Sequence, residues 1–247
     1  TQDLKDEEYI NSHYVIMATK KGQVKKTSLE QYSRPRTNGI NAITIKDGDE
    51  LLEAKLTDGK SQVMLAVKSG KAIRFEEEKT RPMGRNASGV RGITLANDDD
   101  EVIGMVSVND MESDILVVSE NGYGKRSKLD DYRITNRGGK GVKTISVTDK
   151  TGELVAIKNV TDADDLMIIN KSGIAIRMAV EDLRVMGRAT QGVRLINLKG
   201  KDAIAAVAKV MQEEDEDIDE ELLNDNEIDT SVENAEDGTN IENESND

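Results

Sequence analysis

The feature that most constrains this chain is that it repeats itself four times. The segments "VIMATKKGQVKKTSL", "VMLAVKSGKAIRFEE", "ILVVSENGYGKRSKL" and "LMIINKSGIAIRMAV" each read as an apolar run, a glycine turn and a second run. Their turn glycines, Gly22, Gly70, Gly122 and Gly173, are 48, 52 and 51 residues apart. A second landmark follows in each copy: "NGINAI", "SGVRGI", "KGVKTI" and "QGVRLI". Its glycines, Gly39, Gly89, Gly141 and Gly192, are 50, 52 and 51 residues apart. Two independent landmarks with one period define a repeat, and a period near 50 residues belongs to propeller-like arrays.

Each unit reads as β-structure. Its short runs are rich in Val, Ile and Leu and bounded by Gly, Asn, Asp and Ser, which is hairpin chemistry. Two further strands are expected per unit. One follows the second glycine ("INAITI", "VRGITL", "VKTISV", "VRLINL"), and one precedes the next repeat ("LLEAKLT", "VIGMVSV", "LVAIKNV", "AIAAVAKV"). Short helical turns are expected near Leu29, Glu77, Leu129 and Val180. The fold class is therefore all-β, a propeller-like array of about four four-stranded blades at 13–60, 61–112, 113–164 and 165–211. Residues 1–12 do not match the start of a repeat and read as a linker or the end of a preceding blade. With Thr1 at its head, the chain is expected to be part of a longer one. The chain holds five Tyr, one Phe and no Trp, so aliphatic side chains must fill the layers between blades.

The formal charge of -14 hides an asymmetry. Residues 212–247 hold 17 of the 48 acidic residues and no Lys or Arg. The remaining 31 acids face all 34 bases, which leaves residues 1–211 slightly basic. Like charge, low hydropathy and no aromatic residue predict a disordered acidic tail. There is no cysteine, hence neither a disulfide framework nor a thiolate metal site. No apolar run is long enough to cross a membrane as a helix.

Superposing the repeats organises the bases. Four residues after each turn glycine stands Lys26, Arg74, Arg126 or Arg177. Three or four residues before each second glycine stands Arg36, Arg85, Arg137 or Arg188. Two residues after it come Asn41, Arg91, Lys143 and Arg194. In a radial fold, equivalent positions trace one band. A recurring basic band on a nearly neutral body is the footprint of a phosphate backbone. Arginine's planar fork suits phosphate oxygens. The bland alternative is that these charges keep outer strands from pairing with other chains. Few aromatics means no stacking platform for single strands, so duplex DNA is the expected partner, held by its phosphates and its bendability.

Within the band, "NRGGKG" (residues 136–141) packs three glycines and two cations into six positions. Glycine permits bends closed to other residues and lets another molecule approach the main chain. A phosphate backbone is one such molecule, and a ligand-free tight turn is the other reading. Catalytic constellations are not apparent. "GRNASGVR" and "GRATQGVR" have P-loop glycine spacing but lack its Lys-Ser/Thr. His13 is the sole histidine, which rules out a His-based triad or a His-rich metal site. Asp98 to Glu101 reads as a solvated loop. Tyr9, Tyr14, Tyr32, Tyr123 and Tyr132 have no clustered base nearby and read as packing residues.

With these features together, the chain resembles the C-terminal domain of the DNA gyrase A protein, a β-pinwheel of propeller-like blades. That family's signature reads Q-R-R-G-G-K-G. Residues 135–141, "TNRGGKG", match it at Arg137, Gly138, Gly139, Lys140 and Gly141 and depart from it at Thr135 and Asn136. The phrases "MGRNASGVRGITL" and "MGRATQGVRLINL" are also family-like, and the resemblance covers residues 13–211. The family carries its main box in its first blade and usually has six blades. Here the box-like stretch lies in the third visible repeat, so two blades are expected upstream.

The resemblance implies a non-catalytic module that wraps duplex DNA around its basic rim with positive handedness, supporting ATP-dependent negative supercoiling. The implied partners are duplex DNA, the remainder of the gyrase A protein and the gyrase B protein. The catalytic tyrosine, the ATPase and the Mg-ATP they need would lie in other domains, so no cofactor or metal is expected in this chain. A bacterial cytoplasmic, nucleoid-associated location follows, with no membrane partner. The acidic tail would compete with DNA for the band. Two other readings stand beside this one. They are the related domain of the topoisomerase IV A protein, and a propeller-type protein-interaction platform without a DNA role.

Overall fold

The computed structural model describes residues 6–211; the expected acidic tail, 212–247, lies outside the described residues. A short helix, α1 (Glu7–Ser12), opens it, with the Asp6 carboxylate accepting from the Tyr9 amide at 3.1 Å as a cap. The rest is β-structure. The first unit supplies β1 (Tyr14–Thr19), β2 (Gln23–Ser28) and β3 (Leu51–Thr57). The second supplies β4 (Gln62–Val67), β5 (Lys71–Glu76), β6 (Val90–Arg91) and β7 (Val102–Val108). The third supplies β8 (Asp114–Ser119), β9 (Tyr123–Lys128), β10 (Val142–Lys143) and β11 (Leu154–Val160). The fourth supplies β12 (Asp164–Asn170), β13 (Ala175–Ala179), β14 (Val193–Arg194) and β15 (Ile204–Met211). Short 3-10 turns stand at Leu29–Tyr32, Glu77–Lys79 and Leu129–Asp131. Around Val180 the chain makes turns without helix.

The sheets do not coincide with the repeats. Their orders are β3-β1-β2-β6, β10-β5-β4-β7, β11-β8-β9-β14 and β13-β12-β15. The strand after each second glycine leaves its own unit and pairs, antiparallel, with the sheet before it. Thus Val24 lies opposite Val90, Ala72 opposite Val142, and Gly124 opposite Val193. These exchanged strands are two residues long, not six, because the chain turns away after the landmark to rejoin its own sheet. The expected strand "INAITI" is absent: residues 40–46 carry no strand, having no earlier sheet to join among the described residues. For the matching reason the fourth sheet has three strands.

The layer between sheets explains the continuous apolar runs. In β4 every residue is buried, although side chains alternate between faces. Val63, Leu65 and Val67 pack with Ile16, Val24 and Phe75 in the layer shared with the first sheet. Met64 and Ala66 pack with Ile115, Val117 and Tyr132 in the layer shared with the third. β8 repeats the arrangement, since Leu116 and Val118 face Leu166, Ile168 and Ile204 of the fourth unit. β4 and β8 therefore each belong to two cores at once. Side chains from all four units, among them Lys20, Lys68, Glu120 and Lys171, line one shared cavity. The sheets thus stand around a common axis, with β6, β10 and β14 on their outer edges.

Candidate nucleic-acid interface

The structure sorts the recurring cations into groups with different fates. Lys26, Arg74 and Arg126 are 4%, 6% and 8% exposed. They do not line a rim, and this corrects the expectation that they touch DNA. Each crosses to the following unit or holds its own sheet together. Lys26 pairs with the Glu77 carboxylate at 3.7 Å. Arg74 donates to Gln62 Oε1 at 2.7 Å and to the carbonyls of Leu129 and Tyr132 at 2.8 and 3.0 Å. Arg126 meets Asp114 and Asp162. The backbones at these positions bridge to Pro82, Ile134 and Val185 of the next unit. A buried charge must be compensated; at Lys26 and Arg74 the compensation fastens successive blades, whereas both carboxylates that meet Arg126 belong to its own unit. Arg177, the fourth member, is exposed and donates to Asp165 at 2.6 Å.

The second row is half-buried and performs a joint task. Arg85 Nη1 donates to the Asn41 carbonyl at 3.1 Å, Arg137 Nη1 to that of Arg91 at 3.0 Å, and Arg188 Nη1 to that of Lys143 at 2.8 Å. Each arginine clamps the landmark loop of the preceding unit. Arg137 also donates from Nε to the Lys79 carbonyl at 3.0 Å. Arg36, whose unit has no predecessor among the described residues, is exposed. The third row, Arg91, Lys143 and Arg194, is exposed, though Arg194 rests on Tyr123, donating to its hydroxyl at 2.8 Å with its guanidinium 5.3 Å from the ring centre. Clamp and exposed cation therefore alternate along the outer edge. The carbonyl of an exposed residue is held by the next unit's arginine.

Two buried lysines brace the same edge. Lys25 Nζ donates to the carbonyls of Ala42 and Arg85, tying the landmark loops of two units together. Lys125 Nζ donates to the Gly187 carbonyl of the fourth unit at 2.5 Å. Burial pulls both down to about 8, with Arg85 and Arg188 adding repulsion and Asp131 opposing it at Lys125.

The glycines of "NRGGKG" serve packing first. Gly141 has φ +71°, and a Cβ there would stand 2.6 Å from the Ala72 carbonyl oxygen. Only glycine lets the exchanged strand lie this close to β5. The loop is also stitched to the second unit: Gly138 N–H donates to the Gly92 carbonyl and Thr94 N–H to that of Gly139, at 2.6 and 2.9 Å. Lys140 stays exposed beside a shallow cavity lined by Arg133, Asn136, Gly139 and Gly141.

Sequence reasoning missed one row. Arg81, Arg133 and Arg184 are exposed and immediately precede the bridge residues Pro82, Ile134 and Val185. Each follows its turn glycine by 11 residues, so a third landmark was available.

Blades that exchange strands and carry a periodic cationic edge define a β-pinwheel of propeller-like units. The family model for the DNA gyrase C-terminal domain, beta-propeller, matches residues 13–58, 62–109, 113–161 and 164–211. The chain belongs to that family. It is 44% identical over 208 residues to the DNA gyrase A protein of Chlamydia pneumoniae, covering 84% of this chain and 25% of that protein. It is 43% identical over 221 residues to the DNA gyrase A protein of Staphylococcus aureus (strain MRSA252), covering 89% and 24%. The chain thus spans about a quarter of the length of these relatives. Among solved structures, the C-terminal domain of DNA topoisomerase IV superposes with a TM-score of 0.77, covering 81% of this chain and 62% of that one. The DNA gyrase A C-terminal domain does so with 0.72, covering 81% and 67%. Both are 24% identical to this chain, and they establish the fold. The sequence relatives, not the structural ones, favour gyrase A over topoisomerase IV.

Proposed function

We propose that this module binds duplex DNA along the outer edge of its blades and wraps it, supporting negative supercoiling by a gyrase. The observation that carries the reading is the alternation of clamp and exposed cation at the same place in successive units. Arg91, Lys143 and Arg194, with Arg36, Lys140 and the free faces of Arg85, Arg137 and Arg188, form the contact set. Arg81, Arg133 and Arg184 extend it. Arg177 is exposed and charged but lies on another part of its blade. Repeated, equally built contacts suit a polymer of repeated phosphates and carry no base readout. The clamps fix the loops before DNA arrives, so little ordering is left to be done on binding.

In this reading DNA strand breakage and ATP hydrolysis with Mg belong to the remainder of the gyrase A protein and to the gyrase B protein. The working location is the bacterial cytoplasm, on the chromosome. The acidic segment 212–247 competes with DNA for the edge by charge alone.

The test is duplex affinity against salt for residues 1–211 and 1–247. Each phosphate neutralised adds about 0.9 to the slope of log affinity against log salt. A steep slope, lowered by replacing Arg91, Lys143 and Arg194 with alanine, supports the reading. A salt-insensitive or absent interaction in low salt, with the fold intact, sinks it. Weaker binding by 1–247 than by 1–211 identifies the segment as a competitor.

A further inference from the structure

The junction of the third and fourth units differs from the two before it. The first residue after each turn glycine is Gln23, Lys71, Tyr123 or Ile174. The residue nine beyond each landmark glycine is Gly48, Asp98, Lys150 or Lys201. The exchanged strands set Arg91 opposite Gln23, Lys143 opposite Lys71 and Arg194 opposite Tyr123. Of these three pairings, only the last joins a phenol to a cation. Only there does the loop of the earlier unit add a second cation, Lys150, where the other junctions have Gly48 and Asp98.

An open cavity of about 270 Å³ lies at this pairing, its lining including Asn121, Tyr123, Lys150, Arg194 and Asp202. Arg194 donates to the Tyr123 hydroxyl from Nε at 3.3 Å and from Nη2 at 2.8 Å. Its guanidinium stands 5.3 Å, and the Lys150 ammonium 5.4 Å, from the centre of the tyrosine ring. Asn121 Nδ2 donates to the carbonyls of Asp149 and Lys150 at 3.2 and 3.3 Å, which holds the loop that carries Lys150. Asp202 is the one acid in the lining, and its carboxylate is engaged. Oδ1 accepts from the amides of Ser172 and Ala203, and Oδ2 from the Ser172 hydroxyl. Three groups are left over. Neither Lys150 nor Arg194 has a carboxylate partner among the described residues. Tyr123 is only 7% exposed. Its hydroxyl accepts from Arg194, while its own proton reaches no acceptor among the described residues. A polar group so nearly buried is ordinarily satisfied.

The geometry points to a bound phosphate group, which accepts a hydrogen bond from the Tyr123 hydroxyl while Lys150 and Arg194 supply the opposing charge. Bonds to an ionised oxygen are the strong ones, and the donors are set before the anion arrives. On the reading of this edge as DNA-facing, the phosphate is one of the duplex backbone, because Arg194 stands in the exposed cation row. Tyr123 and Lys150 then join the contact set. Their junction is where a phosphate is fixed by a neutral donor as well as by charge. A free phosphate offers the same chemistry, and only the source of the ligand rests on that reading.

Two titrations of the full chain test this together: duplex affinity in a salt series, and inorganic phosphate at constant ionic strength followed by amide NMR shifts. Phosphate should shift the Tyr123, Lys150 and Arg194 amides saturably, and chloride should not. Lys150→Ala should lower the duplex salt slope by about 0.9. Tyr123→Phe removes no charge, so it should weaken duplex binding about tenfold at an unchanged slope. It should do so in an Arg194→Ala background too, which separates a hydroxyl that meets phosphate from one that only props the guanidinium. Phosphate shifts that Lys150→Ala abolishes, with duplex binding unmoved, support the pocket and make its ligand a free phosphate. A wild type that binds phosphate here but no duplex in low salt supports the pocket and defeats the DNA reading. A steep wild-type duplex slope, with no phosphate shifts and no response to either variant, overturns the pocket and leaves the DNA reading standing. A Tyr123→Phe effect that vanishes in the Arg194→Ala background overturns it as well, and a chain that binds neither ligand overturns both. Should Tyr123→Phe melt early, Lys150→Ala, at an exposed side chain, decides by the slope and the phosphate shifts.

Discussion

Replacing Arg74 by methionine separates cations that build the module from cations that meet DNA. The guanidinium is buried and donates to Gln62 Oε1, Leu129 O and Tyr132 O. Methionine keeps much of the volume and removes the donors. Gln62 can turn to another partner, but the two backbone carbonyls are fixed by the Leu129–Asp131 turn and its exit. A buried acceptor left unpaired costs about 1–3 kcal/mol, so two cost about 2–6 kcal/mol. Relief from burying a charge, whose desolvation already presses on Arg74, offsets part of this. A net loss of about 3 kcal/mol is expected, equivalent to a fall of about 6–12 °C in melting temperature for a body of this size. The assay is thermal unfolding by circular dichroism, run beside DNA affinity in a salt series below the melting range. Arg74→Met should melt early and keep the wild-type salt slope. Arg91→Ala with Lys143→Ala should melt within about 0.5 kcal/mol of wild type, as exposed substitutions do, and lose about 1.8 from the slope. The reverse pattern, a stable Arg74→Met with a reduced slope, would refute the division into buried pins and exposed contacts.

Three further outcomes follow from the same geometry. Gly141→Ala must place a methyl 2.6 Å from the Ala72 carbonyl oxygen in a left-handed conformation. It should cost about 1–2 kcal/mol for the conformation alone plus the clash, whereas Gly200→Ala, φ +62° in open space, should cost the conformational part only, as denaturant midpoints will resolve. Lys25 and Lys125 are held near 8 in the folded chain, below their unfolded value. Between pH 8 and the usual lysine range the unfolded state therefore binds more protons, so stability rises with pH across that window. Lys125→Met should flatten the rise, read as melting temperature from pH 7.5 to 9.5, below the range where Tyr132, pushed up by burial, acts in the opposite sense. Finally, alanine at Arg81, Arg133 and Arg184 together should lower the salt slope of DNA binding without moving the melting temperature. An unchanged slope would remove that row from the contact set.

How much of this was legible depended on whether the information was periodic or non-local. The turn glycines and landmark glycines recur at one spacing, so the repeat and the all-β, propeller-like class could be read directly from Gly22 to Gly192. The partner of the exchanged strand could not be. "VRGITL" announces a strand, but nothing in its composition says that Val90 pairs with Val24 of the unit before it. Only the glycine requirement hints at it, since Gly89, Gly141 and Gly192 are where another backbone passes close. The same non-locality misplaced Lys26, Arg74 and Arg126. A cation on a strand reads as solvent-facing when the strand is taken alone, yet these strands are covered on their outer side by the next unit. Nothing local marks the difference: "KAIRFE" and "YGKR" are rich in charge, and the strands that carry Arg74 and Arg126 are buried almost throughout only in the assembled array. Conversely, Arg137 drew attention through its motif, and its guanidinium is partly spent on the Arg91 and Lys79 carbonyls. The motif thus encodes blade-to-blade attachment as much as phosphate contact. This is why its glycines and its arginine occur together: the glycines bring the loop against the second unit, and the arginine locks it there with Lys140 left facing out.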